Sequence, residues 1–184
     1  MVGSPGMGER AVSPLSGEAE QAAALALAGA AALVGVSCWL VFAGHGRWAG
    51  PAALGAGALL LAGASVARRA GSHLLVFLDS AADRAFDGCL LSTIALVARE
   101  ADPPAAAAAA AALVASFLGA YVLARGRSLG YGVEDSMVTR AVRYALVGIG
   151  LAGDWLGPTM IALLVVATLA AAVRASQVAK QERE

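Results

Sequence analysis

Three aspartates, Asp79, Asp83 and Asp87, recur every four residues inside an apolar stretch, HLLVFLDSAADRAFDGCLLSTIALVA, that is long enough to cross a membrane. At 3.6 residues per turn this spacing places all three carboxylates on one slowly drifting helix face, with neighbours about 6 Å apart along the axis. A carboxylate in hydrocarbon is costly unless it is paired, metal-bound or wet. The row must therefore turn inward, and only a bundle of helices offers that shelter. An acid row inside the membrane marks a functional site. The competing reading is a polar seam that joins helices, a task usually given to Ser, Thr, Asn or Gln.

Composition supports the membrane premise independently. The chain is 59% hydrophobic and only 14% charged, against about 25% charged in ordinary soluble domains. Its 184 residues hold several spans and no sizeable soluble domain besides. Apolar runs predict six spans, at about 22–43, 49–67, 73–98, 105–124, 141–156 and 159–173, the last two short. The chain thus divides into a Gly, Ser, Pro and Glu-rich lead-in over 1–21, expected to be disordered, a six-helix membrane domain over 22–174, and a charged cytoplasmic tail over 175–184. The lead-in has no basic segment ahead of the apolar run and does not read as a cleaved signal peptide. Cys38 and Cys89 both fall within apolar runs, as small packing residues rather than a disulfide or metal pair.

Charge sets the expected orientation. With six spans, ten basic residues (Arg10, Arg68, Arg69, Arg125, Arg127, Arg140, Arg143, Arg174, Lys180, Arg183) fall on one side and two (Arg47, Arg99) on the other, with Arg84 inside the membrane. The positive-inside rule then places both termini in the cytoplasm, and Trp48 and Trp155 at outer interfaces. The acid row belongs to the cytoplasmic half of the third span, with Asp79 roughly 10 Å from the helix start. Asp79 and Asp83 are expected to face a cavity open to the cytosol and bounded by the second span. Arg84, three residues before Asp87, is placed to pair with it and leave Asp79 and Asp83 freer. Glu134 and Asp135 read as solvated loop acids, and His73 as a polar helix-end residue.

The segment LDSAADRAFDGC, Leu78 to Cys89, is similar to the second half of the signature of CDP-alcohol phosphatidyltransferases, six-span enzymes of phospholipid head-group synthesis. Their pattern runs D-x-x-D-G-x-x-A-R, eight residues, then G-x-x-x-D-x-x-x-D. AYVLARGRSLGY, Ala120 to Tyr131, and TRAVRY, Thr139 to Tyr144, resemble the S-Y-x-x-A-R-x-x-x-x-G and R-x-x-R stretches of the family's actinobacterial phosphatidylinositol-phosphate synthase branch. The resemblance implies transfer of a phosphatidyl group from a CDP-linked lipid to a small alcohol or alcohol-phosphate acceptor, with release of CMP, in phospholipid biosynthesis. It implies divalent Mg²⁺ or Mn²⁺ held by Asp79, Asp83 and Asp87, with Asp83 also the base on the acceptor hydroxyl. Arg68 is then a nucleotide-binding residue, and Arg125, Arg140 and Arg143 hold the acceptor's phosphate. The expected setting is the bacterial inner membrane with the site facing the cytoplasm. The expected partners are a CDP-diacylglycerol-like lipid, the acceptor, and a second copy or a paired transferase, with no nucleic acid.

One half of the signature is missing. With Ala67 and Arg68 on the family's A-R, Leu60 and Gly63 stand at the first two aspartate positions, and GALLLAGASVARRAGS, Gly57 to Ser72, contains no carboxylate. The spacer after Arg68 is also shortened from eight residues to six. Three acids suit one weakly held ion completed by substrate phosphates better than a two-metal clamp. The alternative function is therefore a catalytically silent relative, acting as a partner or lipid-binding subunit. An ion or proton path along the acid row finds no second polar helix in the chain.

Overall fold

The computed structural model describes residues 14–183. They form six helices: α1 (Pro14–Phe42), α2 (Gly46–Ala70), α3 (His73–Ala98), α4 (Pro103–Ser128), α5 (Met137–Ala152) and α6 (Leu156–Gln181). Polar residues at the junctions fix the boundaries. Gly71, at φ 65°, ends α2 in the left-handed conformation that glycine adopts without a Cβ penalty. The Oγ of Ser72 accepts from the Leu75 amide at 3.5 Å to open α3, and the Oγ of Ser136 accepts from Thr139 at 3.4 Å to open α5. Asp102 caps α4 by accepting from Ala105 at 3.0 Å, ahead of Pro103 and Pro104, whose missing amides the first turn does not need.

Four helices, α1 (over Gly17–Phe42), α2, α4 and α6, are long and apolar enough to cross a membrane. α3 carries the acid row and Arg84, and α5 has 16 residues. Large apolar side chains such as Trp39, Phe77 and Leu169 are exposed on the outside, as contact with hydrocarbon demands. The protein is a multi-pass membrane protein. The two largest departures from expectation are at the start of α1 and the end of α6, while α5, expected at about 141–156, lies at Met137–Ala152. α1 starts at Pro14, inside the segment read as a lead-in, because Glu18 to Ala22 are good helix formers; the rest of that segment, 1–13, lies outside the described residues. α6 runs on to Gln181, through most of the expected tail, because its last turns find partners on the loop between α4 and α5.

α2 packs against α1, α3 and α5, and α6 against α4 and α5. Alanine and glycine make these crossings close. The Ser37 hydroxyl donates to the Ala49 carbonyl at 2.9 Å, a buried bond between α1 and α2. A Cβ on Gly57 would stand 2.6 Å from the Tyr144 Cβ, so its absence lets α5 bring that ring against α2. Gly57→Ala is therefore expected to push α2 and α5 apart and lower stability by about 1–3 kcal/mol, read as a fall in the thermal unfolding midpoint in detergent. The bundle has two distinct ends. At one, the Gly44 to Trp48 turn lies beside Asp154. At the other, Arg68 reaches Met137 and the loop after α4 lies on the last turns of α6.

Candidate functional site

The acid row faces inward, and α5 meets it. Arg140 and Arg143, three residues apart, share one face of α5, and Tyr144 follows beside them. Arg140 Nη1 donates to Asp79 Oδ2 at 2.8 Å. Arg143 donates to two acids at once, from Nη2 to Asp83 Oδ1 at 2.8 Å and from Nη1 to Asp87 Oδ2 at 2.6 Å. Arg84 pairs with Asp83 Oδ2, and the Tyr144 hydroxyl donates to Asp83 Oδ1. Asp83 is 0% exposed with both oxygens engaged. The Ser116 hydroxyl on α4 accepts from Arg143 at 2.7 Å and donates to Asp87, while its carbonyl accepts from Arg84 at 3.1 Å. Three helices, α3, α4 and α5, are thus tied by charge-assisted bonds, which are stronger than neutral ones.

A loop acid completes the network. Asp135 accepts from Arg140 Nη2 at 2.8 Å and from Arg174 on α6 at 3.0 Å. It was expected to be solvated; two guanidinium groups hold it instead, while Glu134 stays exposed. The loop is fastened further by Gln181, whose side chain accepts from the Gly132 amide at 2.8 Å and donates to its carbonyl at 3.1 Å.

Several site expectations change here. Arg84 pairs with Asp83 and not with Asp87, because Arg143 and Ser116 already occupy the deeper acid. Asp79 and Asp83 are consequently not the freer pair. Among the described residues, the crevice beside them, lined by Arg84, Ser116, Arg140, Arg143 and Arg174, holds ≈ 10 Å³, about enough for one water. Arg140 and Arg143 reach the acids, whereas Arg125 is exposed in the last turn of α4 and Arg68 is exposed, its guanidinium 2.7 Å from the Met137 sulfur. His73 is exposed at the start of α3. Ser116, Tyr144 and Arg174 were not singled out from sequence as site residues, and Asp135 was read as solvated. The i, i+4 spacing of Tyr144 from Arg140 was the one signal available for any of them.

No family model matches the chain. Over 136 residues, 70% of the chain, it is 34% identical to the phosphatidylinositol phosphate synthase of Corynebacterium glutamicum. The chain is similar to a CDP-alcohol phosphatidyltransferase, as its motifs suggested. The match spans 62% of that relative's length. The fold agrees: a crystal structure of Mycobacterium tuberculosis phosphatidylinositol phosphate synthase with CDP-DAG bound aligns with a TM-score of 0.69 over 92% of this chain and 94% of that one, at 19% identity.

Divalent metal, which a phosphatidyltransferase of this family is expected to use, does not fit the donor set. Among the described residues no three His, Cys, Asp or Glu side chains are grouped to hold an ion. Leu60 is buried in the apolar core, and a Cβ at Gly63 would point at Ala26 of α1, 3.4 Å from its Cβ. The acids that remain are held by arginine.

Proposed function

We propose that the protein transfers a phosphatidyl group from a CDP-linked membrane lipid to an alcohol acceptor and releases CMP. The observation that carries this reading is the pairing of α3 with α5: Asp79 and Asp83, which match the family's second acid pair, lie against Arg140 and Arg143, which match its R-x-x-R stretch. In the proposed step the acceptor oxygen bonds to the lipid-side phosphorus, the P–O bond to CMP breaks, and the hydroxyl proton passes to Asp83. The resting contacts suggest how the site would be primed. Phosphate oxygens compete with carboxylates for guanidinium N–H groups. When Arg143 turns to a phosphate, Asp83 Oδ1 keeps only the Tyr144 hydroxyl as a donor and can take the proton.

Support for a lipid substrate comes from an apolar groove of ≈ 490 Å³ between α1, α2 and α3, lined in part by Val34, Leu60, Ala82 and Phe86. Its α3 wall, Ala82, Ala85, Phe86 and Cys89, is the helix face next to the one that carries the acids. In this reading all six helices span the membrane, both termini and the site lie on the cytoplasmic side of a bacterial inner membrane, and the acceptor's phosphate is held by Arg140 and Arg143. Residues 22–174 are then the membrane domain, with the remainder outside it.

A second reading, a catalytically silent relative that partners a transferase or binds lipid, is favoured by one observation: Leu60 and Gly63 supply no charge where the family pattern has two acids. One assay separates the two. Purified protein incubated with CDP-diacylglycerol and candidate alcohol and alcohol-phosphate acceptors, with and without Mg²⁺ or Mn²⁺, is expected to release CMP. Absence of CMP with every acceptor, from protein shown to be folded, would sink the transferase reading.

A further inference from the structure

Arg84, Arg140, Arg143 and Arg174 face Asp79, Asp83, Asp87 and Asp135, four positive charges against four negative. We infer that the guanidinium groups of Arg140 and Arg143 stand in the place of divalent cations, so that the protein keeps its acid row folded and neutralised without Mg²⁺ or Mn²⁺ and binds neither ion there. The inference concerns the resting protein and rests on neither reading of its activity.

Donor count is the first ground. A hard cation such as Mg²⁺ demands about six oxygens in near-octahedral order. Both oxygens of Asp83 are engaged, Oδ2 of Asp79 and of Asp87 accept from arginine, and Asp79 Oδ1 is the buried carboxylate oxygen without a partner among the described residues. That oxygen and Oδ1 of Asp87, an acid whose bonds all go to Oδ2, sit on acids about 12 Å apart along α3 and do not make a cage. An entering ion would have to displace Arg140 or Arg143 from contacts of 2.6–2.8 Å and leave a buried guanidinium without its counter-charge, an expensive exchange.

Space and direction are the second ground. The crevice beside the arginines holds ≈ 10 Å³. Restoring acids at the two vacated positions does not repair the donor set, because the Cβ direction at Gly63 leads to α1, and the Leu60 side chain is packed among apolar residues that include Phe86 and Tyr144. Arginine suits the substitution because its planar fork meets two carboxylates at once, as Arg143 does with Asp83 and Asp87.

The test is Mn²⁺ binding, read by the paramagnetic resonance signal of the free ion, together with thermal unfolding in EDTA and in Mn²⁺. Wild-type protein in detergent is expected to leave the free-ion signal undiminished and to unfold at the same temperature in both. Leu60→Asp with Gly63→Asp is expected to behave likewise. Arg140→Gln with Arg143→Gln, which uncovers the acids, is expected to remove about one equivalent of free Mn²⁺ per chain. Stoichiometric loss of the signal with wild type, abolished by Asp83→Asn, overturns the inference, as does a folded arginine double variant that binds no Mn²⁺. Neither result depends on CMP release, and failure of the transferase assay leaves this one unaffected.

Discussion

Arg143→Met is expected to destabilise the bundle by about 3–5 kcal/mol, the usual cost of removing one partner from a buried ion pair. Methionine keeps most of the side chain's apolar stem, so packing changes little and the loss reports charge. Without Arg143, Asp87 keeps only its bond from Ser116 among these contacts, and Asp83 depends on Arg84, Tyr144 and the more distant Arg140. The orphaned carboxylate dominates the effect. Adding Asp87→Asn to Arg143→Met should therefore recover a substantial part of the loss, since an amide in that place carries no charge to leave unpaired. Arg125→Met, at an exposed position outside the network, is expected to change stability by no more than about 0.5 kcal/mol. Unfolding of the detergent-solubilised variants by denaturant supplies all these values. A loss for Arg143→Met as small as that for Arg125→Met would show that the buried contacts are not what holds α3 to α5.

How much of this site was legible in the sequence follows from how far each interaction reaches. The inward turn of Asp79, Asp83 and Asp87 was legible because helix periodicity and the cost of a charge in hydrocarbon are local facts. The bounds of α3 were legible, expected and found at 73–98, whereas α2 and α4 run a few residues past their expected spans, to the caps at Gly71 and Asp102. Arg140 and Arg143 were legible as neighbours on one face. Their partners were not. Whether Arg84 turns to Asp83 or to Asp87 depends on how α4 and α5 are rotated and slid against α3, and periodicity carries no information about that relation. A spacing of three residues made Asp87 reachable, but Ser116 and Arg143 had already taken it. Asp135 was illegible for the same reason: a loop acid is solvated until the fold brings two arginines to it. The extension of α6 likewise depends on Gln181 meeting Gly132 across the loop.

Asp83→Asn is expected to abolish CMP release, a loss of at least about a hundredfold if the residue takes the acceptor's proton, since a positioned base contributes on that scale or above. Asparagine preserves the shape at a site with no room to spare and keeps a carbonyl oxygen for Tyr144 or Arg143, but it cannot accept the proton at neutral pH. The substitution also removes a charge that three arginines approach, at 2.8 Å for Arg143, at 3.8 Å for Arg140 Nε, and in direct contact for Arg84. Some destabilisation accompanies it for that reason, so rates must be compared at equal folded fraction, with unfolding measured on the same preparation. Asp87→Asn serves as the companion, because Asp87 also meets Arg143 yet has no proposed part in proton transfer. It is expected to weaken the fold comparably while retaining measurable CMP release. Equal loss of activity in both variants at matched folded fraction would assign the effect to the shared arginine network, and an undiminished rate after Asp83→Asn would remove that residue as the base.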